Sequence, residues 1–191
     1  MSKNKNSVFS LLPIIAGCFL LCFCALFLTA RVVVKNQTRE RLPLYTQSIE
    51  NLLPERSLGI IETRSENIMP ALEINGENFI GLLEMTEFDV KLPVFSEWDN
   101  KNIGKLPALY LGSIYDGSIV IGGDFDFADT LNCGEHVSFT DMSGQVFNFS
   151  VSAIKHADKL KEDILKSDES DLTLFTKSNG AYLIIRCTVS T

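Results

Sequence analysis

Basic side chains are outnumbered in this sequence: 17 lysines and arginines face 24 acids across 191 residues, a net charge of −7. Lys3 and Lys5 are the only charges before residue 31, so residues 31–191 carry 15 basic against 24 acidic groups, a balance of −9. Phosphate binding needs a surplus of lysine and arginine on one face, so no nucleic-acid partner is expected. Cysteine is sparse where it would matter. Cys18, Cys22 and Cys24 sit in an apolar stretch, which leaves only Cys133 and Cys187 to form at most one disulfide, and spacing does not decide whether they pair. There are no internal repeats and no low-complexity segment. Gly122-Gly123-Asp124 is followed by no Gly-Lys-Ser/Thr and no helix, so it is not a phosphate loop. Asp124, Asp126 and Asp129 cluster without the spacing of a calcium-binding loop and read as a solvated turn. No cofactor and no metal are expected.

One long apolar run is present. Val8 to Ala30 contains no charge, and about 20 such residues cross the hydrocarbon core of a bilayer. A cleaved leader would need a small residue three before the cut, and Leu28 before Ala30 does not provide it. Ile15-Ala16-Gly17-Cys18 has the form of a lipidation box, but the apolar run continues past Cys18. The reading is a transmembrane helix over residues 8–30, after a cytoplasmic N-terminus over 1–7. Lys3 and Lys5 precede the span while Arg31, Lys35, Arg39 and Arg41 follow it, so the charge count alone does not favour an outside C-terminus.

Residues 31–74 read as a juxtamembrane helix and linker. Leu42, Tyr45, Ile49, Leu52 and Leu53 recur at helical steps, Pro54 and Gly59 break the pattern, and Ser65 to Ile74 reads as linker. Residues 75–191 change period. "FIGLLEM", "FDVKLPVF", "ALYLGS", "GSIVIGG", "EHVSFTD", "QVFNFSVSAI", "DLTLFT" and "AYLIIRCTV" are short, branched or aromatic, and separated by turn residues. Their close spacing predicts a mainly β fold, a closed barrel of roughly eight strands with one or two helices. One helix is expected in "HADKLKEDILKSDESD", with Leu160, Ile164 and Leu165 on its apolar face.

Four of these stretches, in order, resemble the sortases, membrane-anchored cysteine transpeptidases of Gram-positive bacteria. "ENFIGLLEMTEFDVKLPVFSEWDN" is similar to the family's opening strands, with Thr86 where the family has proline. "GSIVIGGDFDF" resembles the strand ending in Ala/Gly-His-Asn, and "GEHVSFTDMSGQVFNFSV" resembles Gly-Asp-x-Val-x-Phe-x-Asp-x-x-Gly-x-x-Tyr-x-Tyr-x-Val. "LTLFTKSNGAYLIIRCT" resembles Leu-Thr-Leu-x-Thr-Cys followed by the strand of a catalytic arginine. The resemblance implies a thiolate that attacks a sorting-signal peptide, a histidine that balances protons, and an arginine that steadies the oxyanion. It puts Lys177 at the cysteine position, Asp124 at the histidine position, and retains Arg186. An ammonium with pKa near about 10.4 is a poor nucleophile at neutral pH, and its acyl product would be an unreactive amide. His136 and His156 read as solvent-facing, and Cys187, next to Arg186 in a strand, takes the opposite face as an inert core thiol.

Three functions follow as expectations. The first is a sortase-like pseudoenzyme of the cell surface, single-pass and displayed outside, that binds a sorting-signal peptide or a surface or pilus protein through the inherited groove. The second is an active transpeptidase with a site rearranged around Cys187 or Cys133. The third is a structural module whose groove is closed and whose partner sits elsewhere. In the first, Asp124 is expected to contact Lys177, Arg186 or both.

Overall fold

The computed structural model describes residues 19–23, 42–54, 57–58, 68–98, 106–166 and 170–190. The chain divides into two compact units, Met1–Glu40 and Arg41–Thr191. In the first, residues 19–23 are helical, with Phe19, Leu20, Leu21 and Phe23 all exposed. The rest of the expected span over 8–30, and the segment 1–7, lie outside the described residues. Among the described residues, no helix is long and apolar enough to cross a membrane.

The second unit is a closed β-barrel. Its strands are β1 (Ser57–Leu58), β2 (Leu72–Ile74), β3 (Glu77–Met85), β4 (Val90–Phe95), β5 (Ala108–Ser113), β6 (Ser118–Gly122), β7 (His136–Asp141), β8 (Gln145–Ala157), β9 (Leu172–Ser178) and β10 (Ala181–Val189). The hydrogen-bonded order runs β8-β10-β9-β6-β5-β4-β3, and β7 pairs with both β3 and β8. That double pairing closes a ring of eight and leaves β1 and β2 as additions to its wall. The ring is mixed: β4/β5 and β6/β9 are parallel, and its other neighbours are antiparallel.

Alternation along the strands divides the residues into two sets. Leu172 and Leu174 of β9, and Leu183, Ile185 and Cys187 of β10, point inward to a core shared with Phe139, Phe147 and Phe149. Phe175 and Ile184, one step out of phase, point outward and join a second cluster with Val120 and Leu165. The expected mainly β barrel of about eight strands is what the chain forms.

Two expectations change. Residues 42–52 form a helix, α1, which stops short of the expected break at Pro54. It packs on the barrel through Ile49, which is fully buried with Ile74, Phe79 and Leu82, and Tyr45 lies 5.2 Å from the Phe79 ring. Part of the expected linker, Leu72–Ile74, is strand β2, antiparallel to β3. Helix, β2 and barrel therefore belong to one unit beginning at Arg41. Likewise, most of the expected helix over 156–171 is absent from the described residues. Strand β8 continues to Ala157 because Tyr182 and Leu183 of β10 pair with Ala157 and His156. Only one helical turn follows, α2 (Glu162–Leu165). The apolar spacing of Leu160, Ile164 and Leu165 nevertheless serves its purpose, since all three pack on the outer cluster.

Candidate functional site

The hairpin β9–β10 turns through Asn179 and Gly180, with φ of 50° and 88°. Two residues of positive φ make the tight turn whose twist matches paired strands. The turn fixes the register: Ala181 pairs with Ser178, Tyr182 with Lys177, and Arg186 with Thr173. Directly opposed side chains share a face. Lys177 is therefore beside Tyr182, and Arg186 is four residues along the strand from that level, about 13 Å away.

Asp124 lies in the segment after β6. That segment runs along the end of β9, where Gly123 N donates to Phe175 O (3.1 Å) and Phe125 N donates to Thr176 Oγ1 (3.4 Å). Asp124 and Lys177 thus stand on neighbouring backbones. Asp124 is half-buried and Lys177 is exposed, with no ion pair between them among the described residues. Arg186 is half-buried, and its Nη2 donates to the Ile164 carbonyl (3.1 Å). Of the three residues, the fold brings two together and sets the third apart.

Cys187 points the other way from Arg186. A register irregularity separates them in the pairing with β8, where Ala153 and Val151 are their partners. The extra residue, Ser152, is on β8, and the pairing of β10 with β9 runs unbroken. Alternation along β10 is therefore preserved. Cys187 is fully buried in the barrel core, and burial pushes its thiol up to about 12. Cys133 is exposed, and both thiols are free. His136 Nδ1 lies 3.1 Å from Glu87 Oε1, on a different edge of the barrel.

The face that carries Lys177, Tyr182 and Arg186 is covered in its middle stretch, at Phe175 and Ile184. Leu165 is completely buried on it against Val120, Phe175 and Ile184, with Leu160 and Ile164 alongside. Trp98 and Tyr110 complete the cover. Their rings pack edge to face at 5.6 Å, and each meets Phe175, at 5.3 and 5.2 Å. Gly122 makes this possible. A Cβ there would fall 2.3 Å from Phe175 Cζ and 2.4 Å from Trp98 Cζ3, inside van der Waals contact. The sequence reading did not find this aromatic cover. Its signal was the absence of a side chain at Gly122 and the single tryptophan placed just past β4.

The three aspartates singled out earlier do not converge. Asp129 accepts from Ser178 Oγ at 2.8 and 2.9 Å, which ties the loop after β6 to the end of β9. Among the described residues no group of three acidic, histidine or cysteine side chains is placed to hold a metal ion.

Neither protein-family models nor curated proteins match this sequence. Solved structures do. Sortase A from Corynebacterium diphtheriae superposes with a TM-score of 0.54 at 17% identity, over 83% of this chain and 85% of that one. Sortase C from Clostridium perfringens SM101 gives 0.51 at 19%, over 82% and 89%. A Clostridium perfringens sortase D5 transpeptidase gives 0.52 at 15%, over 59% and 79%. With its ring of eight mixed strands and its short outer helix, the chain has the sortase-like barrel fold.

Proposed function

We propose that this chain is a membrane-anchored, cell-surface protein of the sortase family that does not carry out acyl transfer and works by holding a peptide or surface-protein partner. The observation that carries the reading is the complete burial of Leu165 over Phe175, Ile184 and Val120. That cover fills the outer face of the β9–β10 hairpin between the levels of Lys177 and Arg186. It favours a closed groove, with the partner held elsewhere, over binding through the groove itself. The residue at the thiol position supports the same reading: Lys177 is exposed, and an ordinary ammonium is not nucleophilic at neutral pH. So does the position of Arg186, held by the Ile164 carbonyl and far along the strand from that level.

The uncharged run from Val8 to Ala30 supports a single span, with the N-terminus in the cytoplasm and residues 41–191 outside. Protease added to intact, wall-stripped cells is expected to remove the barrel, and full protection refutes that orientation. For the function, the full chain is incubated with a panel of sorting-signal peptides and an amine acceptor. No cleavage and no transfer product is expected; clear turnover overturns the proposal.

Catalysis by a rearranged thiol has less support. A thiol with pKa about 12 is almost wholly protonated at neutral pH, and Cys187 has no access to solvent. Alkylation of the folded chain at pH 8, mapped by mass spectrometry, is expected to label Cys133 and leave Cys187 unmodified. Labelling of Cys187 at a comparable rate would revive the rearranged site.

A further inference from the structure

Helix α1 packs on the barrel through Tyr45 and Ile49, with Leu53 just past its end. Residues 44, 47, 48, 51 and 52 recur at the three- and four-residue steps that put side chains on one helix face, and they form the side turned away from that core. Two leucines stand there, Leu44 at 64% and Leu52 at 60% exposed, with the exposed Gln47 and Asn51 beside them. Among the described residues of the barrel unit, four large apolar side chains are exposed, and these are two of them.

The face carries no charge. Glu50 is the single ionisable acid of α1, which has no base, and the barrel holds it: Lys91 Nζ of β4 donates to Glu50 Oε1 (2.6 Å). The contrast with the rest of the unit is large, since residues 42–191 hold 23 acids against 11 bases, a balance of −12. A leucine-bearing face without charge can enter a lipid interface at no electrostatic cost, and an acidic surface cannot.

The chain before α1 identifies the occupant. Eleven residues separate Ala30, the end of the uncharged run, from Leu42. Fully extended, they reach at most about 40 Å, so α1 is tethered close to any bilayer the run crosses. They carry Arg31, Lys35, Arg39 and Arg41 against Glu40 alone, a balance of +3. A basic stretch beside a span is drawn to anionic headgroups, while the acidic barrel is repelled by them. The first element after the tether is thus the one brought to the lipid.

We propose that the outward face of α1 is a lipid-docking surface, with Leu44 and Leu52 seated in the interfacial region of an anionic bilayer. The inference rests on the membrane anchorage proposed above. It is independent of whether the chain can catalyse transfer.

The full chain is reconstituted into vesicles of equal parts phosphatidylglycerol and a phosphatidylcholine brominated on its acyl chains near the headgroup, where bromine quenches tryptophan emission on contact. Leu44→Trp and Leu52→Trp each add one emitter to Trp98, the sole tryptophan, at an exposed position, and equal melting temperatures in micelles establish that the fold is kept. The difference between variant and parent reads the added ring. Its emission is expected to be shifted to the blue and quenched in both variants. Adding Leu52→Gln to Leu44→Trp removes one docked leucine and is expected to lower the docked-to-free ratio roughly tenfold, read as a loss of quenching. Added emission that is red and unquenched means a solvated face and overturns the proposal. Emission that is blue but unquenched means that protein covers the face, a second copy or another segment of this chain, and overturns it equally. Quenching that Leu52→Gln does not change refutes the two-leucine face. Alkaline carbonate extraction separates this inference from the anchorage. Release of the parent chain from the vesicles sinks both; retention with unquenched emission sinks the docking surface alone.

Discussion

Two hairpins of the same barrel use their polar residues in opposite ways. In β7–β8 the turn is organised by Asp141, which is fully buried. Its carboxylate accepts from the Tyr115 hydroxyl, from Ser143 N (2.8 Å) and Oγ (2.7 Å), and from Gln145 N (2.9 Å). A buried charge is tolerated only when hydrogen bonds replace its water, and here they do. In β9–β10 the corresponding polar residue, Lys177, projects to solvent, while its apolar neighbours Phe175 and Ile184 are sealed under Leu165. One hairpin devotes a charge to building the fold; the other devotes its outer face to packing. One barrel can thus build one hairpin around a hydrogen-bonded carboxylate and pack the outer face of another with apolar side chains.

The sharpest way to break this comparison is Asp141→Ala. It removes the acceptor that Asp141 offers to the buried Tyr115 hydroxyl and to the part-buried N–H groups of Ser143 and Gln145. A loss of about 3–5 kcal/mol is expected in urea unfolding, as when one partner of a buried charged network is removed. A loss below about 1 kcal/mol would mean that water replaces the carboxylate, and that Asp141 does not organise the turn.

On the other hairpin, Leu165→Ala tests whether the cover is core or a loose flap. Leu165 is fully buried, so truncation is expected to cost about 3 kcal/mol, within the range for leucine in a core. A cost near zero would show that the outer face is open in solution and would restore the groove as a binding surface. Next in size is Gly122→Ala. Its added carbon would meet the rings of Phe175 and Trp98, and displacing them is expected to cost about 1–3 kcal/mol. The emission of Trp98 is expected to move to the red, as its ring is pushed toward water.

How far the sequence could be read follows from what holds each element. The eight barrel strands were legible because period-two alternation and turn residues mark each one locally, and "ALYLGS" and "AYLIIRCTV" have the bounds of β5 and β10. Strand β2 was read as linker, although Asn75-Gly76, both with positive φ, is a hairpin signal that points back to Leu72–Ile74. The extension of β8 to Ala157 was not legible, because a partner strand some 25 residues later decides it. At the site, the resemblance supplied Asp124 and Lys177 as neighbours, and their backbones are adjacent. The separation of Arg186 was readable but unread. A two-residue turn at Asn179-Gly180 already pairs Lys177 with Tyr182 and sends Arg186 to Thr173. The aromatic cover joins Trp98, Tyr110 and Phe175 from three separate stretches, so Gly122 and the single tryptophan mark it only faintly.

The smallest expected effect sharpens the comparison by setting an exposed carboxylate beside the buried Asp141. Glu87, in the turn after β3, accepts from His136 N (3.2 Å) and lies 3.1 Å from His136 Nδ1 at the start of β7. Its carboxyl is held below its ordinary value, first by its own backbone N–H, against desolvation that acts the other way, and then by the backbone N–H and ring of His136. A carboxylate whose pKa is lower in the folded state stabilises above its unfolded pKa, and that contribution is lost as pH falls through the folded value. Stability from Glu87 is therefore present at neutral pH and is lost as pH falls from the ordinary carboxylate value through the lowered one. Both partners are solvated, with 69% of the His136 side chain exposed, so the contribution is expected to stay under about 1 kcal/mol. In melting curves recorded at pH 6 and pH 3, Glu87→Gln is expected to lie slightly below the parent at pH 6 and to converge with it at pH 3. A gap of the same size at both values would mean that Glu87 acts through packing rather than charge. A gap as large as that of Asp141→Ala would erase the distinction between a carboxylate that builds the fold and one that decorates it.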